Sequence, residues 1–375
     1  MIDFNGLYTP ASASQWSGRN DGTDFNVQRW FQQITICDLE KALLPPLSGG
    51  KGLAILGFAS DEGVRRNGGR TGAAQGPVAI RQASANLAVH FEAGFTLVDA
   101  GTIYCAGRDL ALAQEQLAVA VAEILRQGYR PLLWGGGHEM MYGHYCGIRK
   151  FLSGKKTAVS GAAGFAAQTP TDLLADQTRF ADTGINPETT EGATPQSAAP
   201  RIGIINFDAH FDLRIPGEAG ATSGTGFWQV ARDCRTAGEA FNYLALGIQK
   251  QSNTRLLYGT ADSLNVSFVE SRYFDSENSL FVESKISGLL DASDYIYVTI
   301  CLDVFAHLAA PGVSAPSATG ILPDAFFMRM LATMLKSPKC ISIDIAELNP
   351  AHDHSGQTAK LAAALSFEVA ESLYS

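Results

Sequence analysis

The feature that most limits how this chain can fold is a recurrence of short, almost wholly apolar runs. Several are closed by Gly, Asp or Asn, and longer stretches of helical period separate them. They stand at 53–59 (LAILGFA), 95–99 (FTLVD), 131–135 (PLLWG), 202–207 (IGIINF), 242–247 (NYLALG), 265–269 (NVSFV), 295–302 (YIYVTICL) and 340–345 (CISIDI). A strand that is apolar on both faces must be covered on both, which describes a parallel sheet between helical layers. The clearest covering helix is 109–127, rich in Ala, Leu, Glu and Gln and closed by Gly128, and a last helix is expected over 357–372. Eight strands in 375 residues predict an α/β fold in a single domain, 1–375. One stretch, 157–200, is dominated by Ala, Gly, Ser, Thr, Pro, Gln and Asn and can add little core. It reads as a surface insertion, with a short helix near 171–182. There is no internal repeat.

Composition narrows the function classes. With 46% hydrophobic and 17% charged residues, disorder and coiled coil are excluded. The surplus of 37 Asp and Glu over 28 Lys and Arg gives a net charge of −9, which opposes a phosphate-tracking surface, so no nucleic-acid partner is expected. The N-terminus lacks the basic flank and apolar core of a signal peptide, and no apolar window is long enough for a membrane span. The six cysteines (37, 105, 146, 234, 301 and 340) form no CxxC pair, which argues against a disulfide framework or zinc finger and for a reducing cytoplasm.

Three strand ends carry unusual polar residues. At 134–139, WGGGHE, three glycines allow tight backbone packing just before His138. At 206–214, NFDAHFDLR, the alternate residues Asp208, His210 and Asp212 would point the same way in extended chain. At 301–303, Cys301 and Asp303 repeat that spacing. Functional groups of open parallel sheets gather at the carboxyl ends of strands. Carboxylates mixed with imidazoles suit Mn²⁺, Fe²⁺, Co²⁺ or Zn²⁺, and this many ligands exceed what one ion requires. A two-metal cluster that activates water, and hence hydrolysis, is the expected chemistry. Each piece alone has a plainer reading: His138 as a packed or capping side chain, DAHFD as a strand-end cap, Cys301 as a small buried hydrophobe. Their coincidence on three strand ends favours the site.

These residues resemble the ureohydrolase superfamily of arginase, agmatinase and formimidoylglutamase. GGGHE, NFDAHFD, PGVSAP at 311–316 and DIAELNP at 344–350 fall in the family's order, and SDEGVRRNGGRTGAAQGPVAIR at 60–81 resembles its N-terminal motif. The resemblance implies a three-layer arginase-like fold with a mainly parallel eight-stranded sheet and a binuclear centre, usually of Mn²⁺. It places His138, Asp208 and Asp212 on one ion, with Asp208 bridging, and His210 and Asp303 on the other. Cys301 stands where the family usually has a bridging Asp. Its sulfur would favour Zn²⁺, Co²⁺ or Fe²⁺ over Mn²⁺.

The resemblance further implies attack of metal-bound hydroxide on a planar amidine carbon. Asp212 would orient the hydroxide and pass its proton to the leaving amine, while Glu347 would pair with the substrate cation. Among the family's substrates, formimino-glutamate carries two carboxylates, which suit forked guanidinium groups. Arg214 and the RRNGGR loop, with Asn67 and Arg70, are therefore candidate substrate-binding residues, and Ser223 and Thr225 could donate hydrogen bonds. Arg65 and Arg66 read rather as salt bridges holding their loop, and His144 and His307 as structural. The pattern is most similar to formimidoylglutamases, which release glutamate and formamide in histidine degradation. Alternatives are an agmatinase or other guanidino-compound hydrolase, and a catalytically silent relative. A small amidine substrate is the expected partner, and the family admits a homo-oligomer.

Overall fold

The computed structural model describes residues 2–47, 49–92, 94–156 and 199–374. Residues 157–198 of the expected insertion, with the helix read near 171–182, lie outside them.

The eight expected strands all form. They are β3 (Gly52–Ala59), β4 (Thr96–Tyr104), β5 (Arg130–Gly135), β6 (Ile202–Phe207), β7 (Asn242–Ile248), β8 (Ser267–Glu270), β9 (Tyr295–Cys301) and β10 (Cys340–Ala346). Two two-residue strands, β1 (Tyr8–Thr9) and β2 (Thr35–Ile36), were not expected, because so short a piece has no periodicity of its own. Among the described residues the sheet therefore has ten strands, ordered β1-β4-β3-β5-β10-β9-β6-β7-β8, with β2 also pairing β4. Every pairing is parallel except β1 with β4. β4 runs past the expected end at Asp99 because Gly101, at φ +85°, acts as an irregularity within the strand rather than a stop.

Alternation along the strands builds two cores. Leu53, Ile55, Leu132, Trp134, Ile205 and Phe207 pack on one face, and Ala54, Leu56, Phe58, Leu133, Ile204 and Tyr297 on the other. The first face is covered by helices Gly76–Ser84, Ser279–Ala292, Ala325–Leu335 and Gln357–Tyr374, the second by Leu110–Arg126, Met140–Lys156 and Gly226–Ala237. This is the three-layer α/β/α arrangement. Asp109 caps the helix Leu110–Arg126 by accepting from the Leu112 amide at 3.0 Å, and Gly128 follows it at φ +82°. Among the described residues no helix is long and apolar enough to cross a membrane.

The strand order matters more for the site than the strand count. β5, β10, β9 and β6 are consecutive neighbours at the centre of the sheet, and all four run the same way. Their carboxyl ends lie side by side, so segments far apart in sequence deliver side chains to one edge.

Candidate metal centre and substrate cleft

At the end of β5 the chain passes through Gly135, Gly136 and Gly137. The Gly136 amide donates to the Phe58 carbonyl at 2.7 Å and the Gly137 amide to that of Ser60 at 2.8 Å. A Cβ at Gly136 would overlap the Ser60 carbonyl, so the approach requires glycine. The turn delivers His138, whose amide donates to Glu347 Oε1 at 2.7 Å. Glu347 follows β10 in a left-handed conformation, φ +73°, and its own amide donates to the Gly136 carbonyl at 2.8 Å. The ends of two neighbouring strands are thus tied reciprocally.

At the end of β6, Asp208, His210 and Asp212 do converge, but not because the strand continues. β6 ends at Phe207. The chain then folds on itself, with the His210 amide donating to Asp208 Oδ1 at 2.7 Å and Asp212 at φ +49°, a region Asp tolerates better than most residues. The turn is braced by Asn253, which accepts from the Phe211 amide at 3.1 Å and donates to the Ala209 carbonyl at 2.9 Å.

His138 Nδ1 lies 2.9 Å from Asp208 Oδ2 and 2.9 Å from Asp212 Oδ2. His210 Nδ1 lies 3.4 Å from Asp208 Oδ1 and 3.2 Å from Asp303 Oδ2. Asp208 therefore joins the two imidazoles. Ligand-type atoms fall into two overlapping groups, His138 with Asp208 and Cys301, and Asp208 with His210 and Asp303, each within 4.8 Å. Cys301 is 1% exposed and belongs with His138.

The electrostatics follow from packing acids together in the interior. Burial opposes ionisation of Asp208, yet hydrogen bonds and charge from His138 and His210 outweigh it and hold its carboxyl well below the ordinary range. Burial and the Asp208 charge push Asp212 up to about 6 and raise Asp303. The Cys301 thiol is pushed well up by burial, then by Asp208, Asp303 and Glu347. Burial works against protonation of both imidazoles, but Asp208 with Asp212 raises His138, and Asp303 with Asp208 raises His210. Asp303 Oδ1 and Glu347 Oε2 are buried and have no hydrogen-bond partner among the described residues. Mutually repelling anionic donors with an orphaned oxygen fit divalent cations, which would neutralise the cluster and engage Asp303.

A cleft opens over this cluster, lined also by Asn67, Arg214, Ser223, Ser314 and Glu347. Burial pushes Glu347 up to about 8. Arg214 is exposed at the cleft, and its guanidinium makes no ion pair with any of the described residues. Two expected substrate ligands do not line the cleft. Arg70 instead spends its guanidinium on the Val313 and Ser314 carbonyls, at 2.5 and 3.3 Å, and so holds the PGVSAP loop. Thr225 is buried, its hydroxyl set between Thr222 and Gln229 at the start of helix Gly226–Ala237. Arg65 and Arg66 pair with Glu62 at 2.7 and 2.8 Å, as their loop-holding reading anticipates. Ser314 lines the cleft although sequence assigned it no role; its place in PGVSAP was the available signal.

Comparison with known proteins agrees with this architecture. The arginase family model matches residues 51–159 and 188–371. Formimidoylglutamase of Clostridium tetani is 37% identical over 374 residues, spanning 100% of this chain and 98% of its own length. That of Photobacterium profundum is 37% identical over 370 residues, spanning 96% of this chain and 95% of its own. Among solved structures, formimidoylglutamase from Bacillus subtilis shares the fold with a TM-score of 0.70 at 18% identity, covering 96% of this chain and 95% of that one. Trypanosoma cruzi formiminoglutamase with Mn²⁺ gives 0.66 at 22% identity, covering 88% and 95%. With its family motifs on the central strand ends and relatives matched along its whole length, the chain belongs to the arginase family.

Proposed function

We propose that this protein hydrolyses N-formimino-L-glutamate to L-glutamate and formamide. The observation that carries the reading is the pairing, in one cleft, of a buried metal-ligand cluster beside an unpartnered Glu347 oxygen with the unpaired guanidinium of Arg214. The formimino group is a planar cation and the far end of the substrate carries two carboxylates. Glu347 Oε2 is an acceptor for the first and Arg214 a forked donor for the second, with Asn67 and Ser223 beside it. Full-length identity to formimidoylglutamases supports the same substrate.

His138, Asp208, Asp212 and Cys301 would hold one divalent ion, and Asp208, His210 and Asp303 the other. When bound, such ions supply Lewis acidity and a water acidic enough to act as a nucleophile at neutral pH. Mn²⁺ is the proposed metal; the sulfur of Cys301 makes Zn²⁺, Co²⁺ or Fe²⁺ the competitors. The carboxylate of Asp212 takes the proton from the attacking water and returns it to the amine of glutamate as the C–N bond to the formimino carbon breaks. Glu347 holds the amidine in place, and Arg214 keeps the glutamyl end fixed so that the carbon meets the cluster.

The test is turnover by the purified, Mn²⁺-loaded chain. Formamide and glutamate released from formimino-glutamate, with no urea from agmatine or arginine, is the expected result. Urea from agmatine alone would replace the reading with a guanidino-compound hydrolase, and two bound ions without turnover of any amidine would make the chain a silent relative.

A further inference from the structure

We propose that Thr299 and Asp344 form a buried clasp that fixes the tautomer and orientation of His138, making Thr299 a positioning residue for one of the two metal ions. This rests on the reading of His138 as a metal ligand.

The clasp is read from donor and acceptor capacity. His138 turns Nδ1 toward Asp208 and Asp212, and its Nε2 lies 2.9 Å from Thr299 Oγ1. Thr299 Oγ1 in turn lies 2.5 Å from Asp344 Oδ1. Asp344 is ringed by three groups able to donate, Thr299, Tyr297 and His144, and so accepts; the single hydroxyl proton of Thr299 goes to Asp344, and Thr299 can meet His138 only as an acceptor. The proton of His138 is thereby placed on Nε2, and the Nδ1 lone pair is left facing the cluster. Ligating histidines owe their geometry to such a partner on the second nitrogen.

Asp344 is itself held. Its Oδ2 accepts from the Tyr297 hydroxyl and lies 2.6 Å from His144 Nδ1, while His144 Nε2 lies 2.5 Å from Ser342 Oγ. The arrangement follows from strand register, since Thr299 of β9 pairs with Asp344 of β10 and Tyr297 with Ser342. Tyr297, Thr299 and Cys301 alternate onto one face of β9, so a polar stripe runs through an otherwise apolar layer up to the cluster. Thr299, Asp344, His144, Tyr297 and Ser342 are each 0% exposed. The stripe ends inside the protein, 3.5 Å from the Pro131 carbonyl, and reaches no solvent. It is therefore a brace and not a proton path. Burying a carboxyl group inside the sheet is costly, and among the described residues the contact by which the group reaches the cluster is Thr299 with His138. His210 is more exposed, and among the described residues nothing hydrogen-bonds its Nε2. The two imidazoles are thus held unequally.

The experiment compares wild type, Thr299→Val and Thr299→Ser by metal competition against a chelator, using Mn²⁺ and counting both ions. Valine keeps the shape but removes the hydroxyl; serine restores it. Thr299→Val should weaken one ion by about 10- to 100-fold and leave the other within about threefold, with Thr299→Ser close to wild type. Equal retention of both ions by Thr299→Val and wild type would overturn the clasp, as would equal weakening of both. Should Thr299→Val not fold, the Zn²⁺-loaded wild type decides by ¹⁵N imidazole NMR. His138 is expected to carry a slowly exchanging proton on Nε2, and a proton on Nδ1 would overturn the proposal. A wild type that binds no metal at all would instead sink the metal-centre reading.

Discussion

Asp208 occupies the position at which a single carboxylate serves two imidazoles, and its charge adds to burial in raising the acids around it. Roles at this scale can be separated by substitution. Glu347→Gln keeps an acceptor for the His138 amide but removes the carboxyl that the substrate cation would draw into its ionised form. It should cut kcat/KM by roughly 100- to 1,000-fold, measured as formamide release. Arg214→Ala removes binding common to ground and transition states. It should raise KM for formimino-glutamate with little change in kcat, a loss of about 1.5–3 kcal/mol in kcat/KM. An unchanged KM would take Arg214 out of the substrate's path. Cys301 has a spectroscopic test: Co²⁺-loaded wild type should show thiolate-to-metal charge transfer in the near ultraviolet, and Cys301→Ser should lose it. A wild-type spectrum without that band means the sulfur is not a ligand. His138, Asp208, His210, Asp212, Cys301 and Asp303 were legible as candidate ligands because metal chemistry names its own residue types, and the structure brings them together at and past the strand ends. Arg70 and Thr225, expected as substrate ligands, do not line the cleft, and the signal there is ambiguous for the opposite reason. A guanidinium or a hydroxyl serves equally well as ligand or brace, and which carbonyls surround it depends on distant loops, 244 residues away in the chain for Arg70 and Ser314.

At the scale of elements, the glycine turn after β5 and the anchoring of β4 decide whether the site can assemble. Gly136 packs backbone against backbone, so Gly136→Ala should displace the His138 turn and lower metal retention, with far less effect from Gly288→Ala, in the helix Ser279–Ala292, where no atom lies within contact of an added Cβ. The helix Gly76–Ser84 is tied to β4 by Arg81, which donates to Asp99 from Nε at 2.7 Å and from a terminal nitrogen at 2.9 Å; Trp16 Nε1 donates to the same carboxylate at 2.7 Å. Both members of the ion pair are 0% exposed. Arg81→Met leaves Asp99 charged and buried and should cost about 3–5 kcal/mol in urea unfolding. A loss below about 1 kcal/mol would show the pair to be incidental. The strands and covering helices were legible because apolar runs and helical period are local signals. The end of β4 was not, since Gly101 reads as a terminator until a neighbouring strand is seen pairing beyond it.

For the whole molecule, pH and metal act through the same groups. Burial raises Asp212, Glu139 and Glu347 to about 6, 7 and 8 in the folded chain. Each then binds more protons folded than unfolded above about pH 4, so each makes the fold lose stability as pH climbs toward its folded value. His138 and His210, also raised, contribute stability that is present below about pH 6.5 and lost as pH rises through their folded values. Asp208 acts oppositely: its stabilisation is present above about pH 4 and disappears only in stronger acid. The metal-free protein should therefore show a falling Tm between about pH 5 and pH 8. The increase in Tm on adding Mn²⁺ should grow over the same range, because ions bind the deprotonated ligands. A metal-free Tm that is flat or rises with pH would contradict this account, and thermal scans across that range decide it.

Sequence by itself determined the α/β class, the eight main strands and the chemistry waiting at their ends, because hydrophobic period and ligand type are properties of short segments. Only tertiary structure decided that β5, β10, β9 and β6 stand side by side, which makes one centre of residues as distant as His138 and Glu347. Parallel strands are joined through helices, so their order is set by how whole faces pack across the sheet. The register of β9 on β10 likewise placed Thr299 against Asp344 beneath His138, and no local pattern in either strand encodes that meeting.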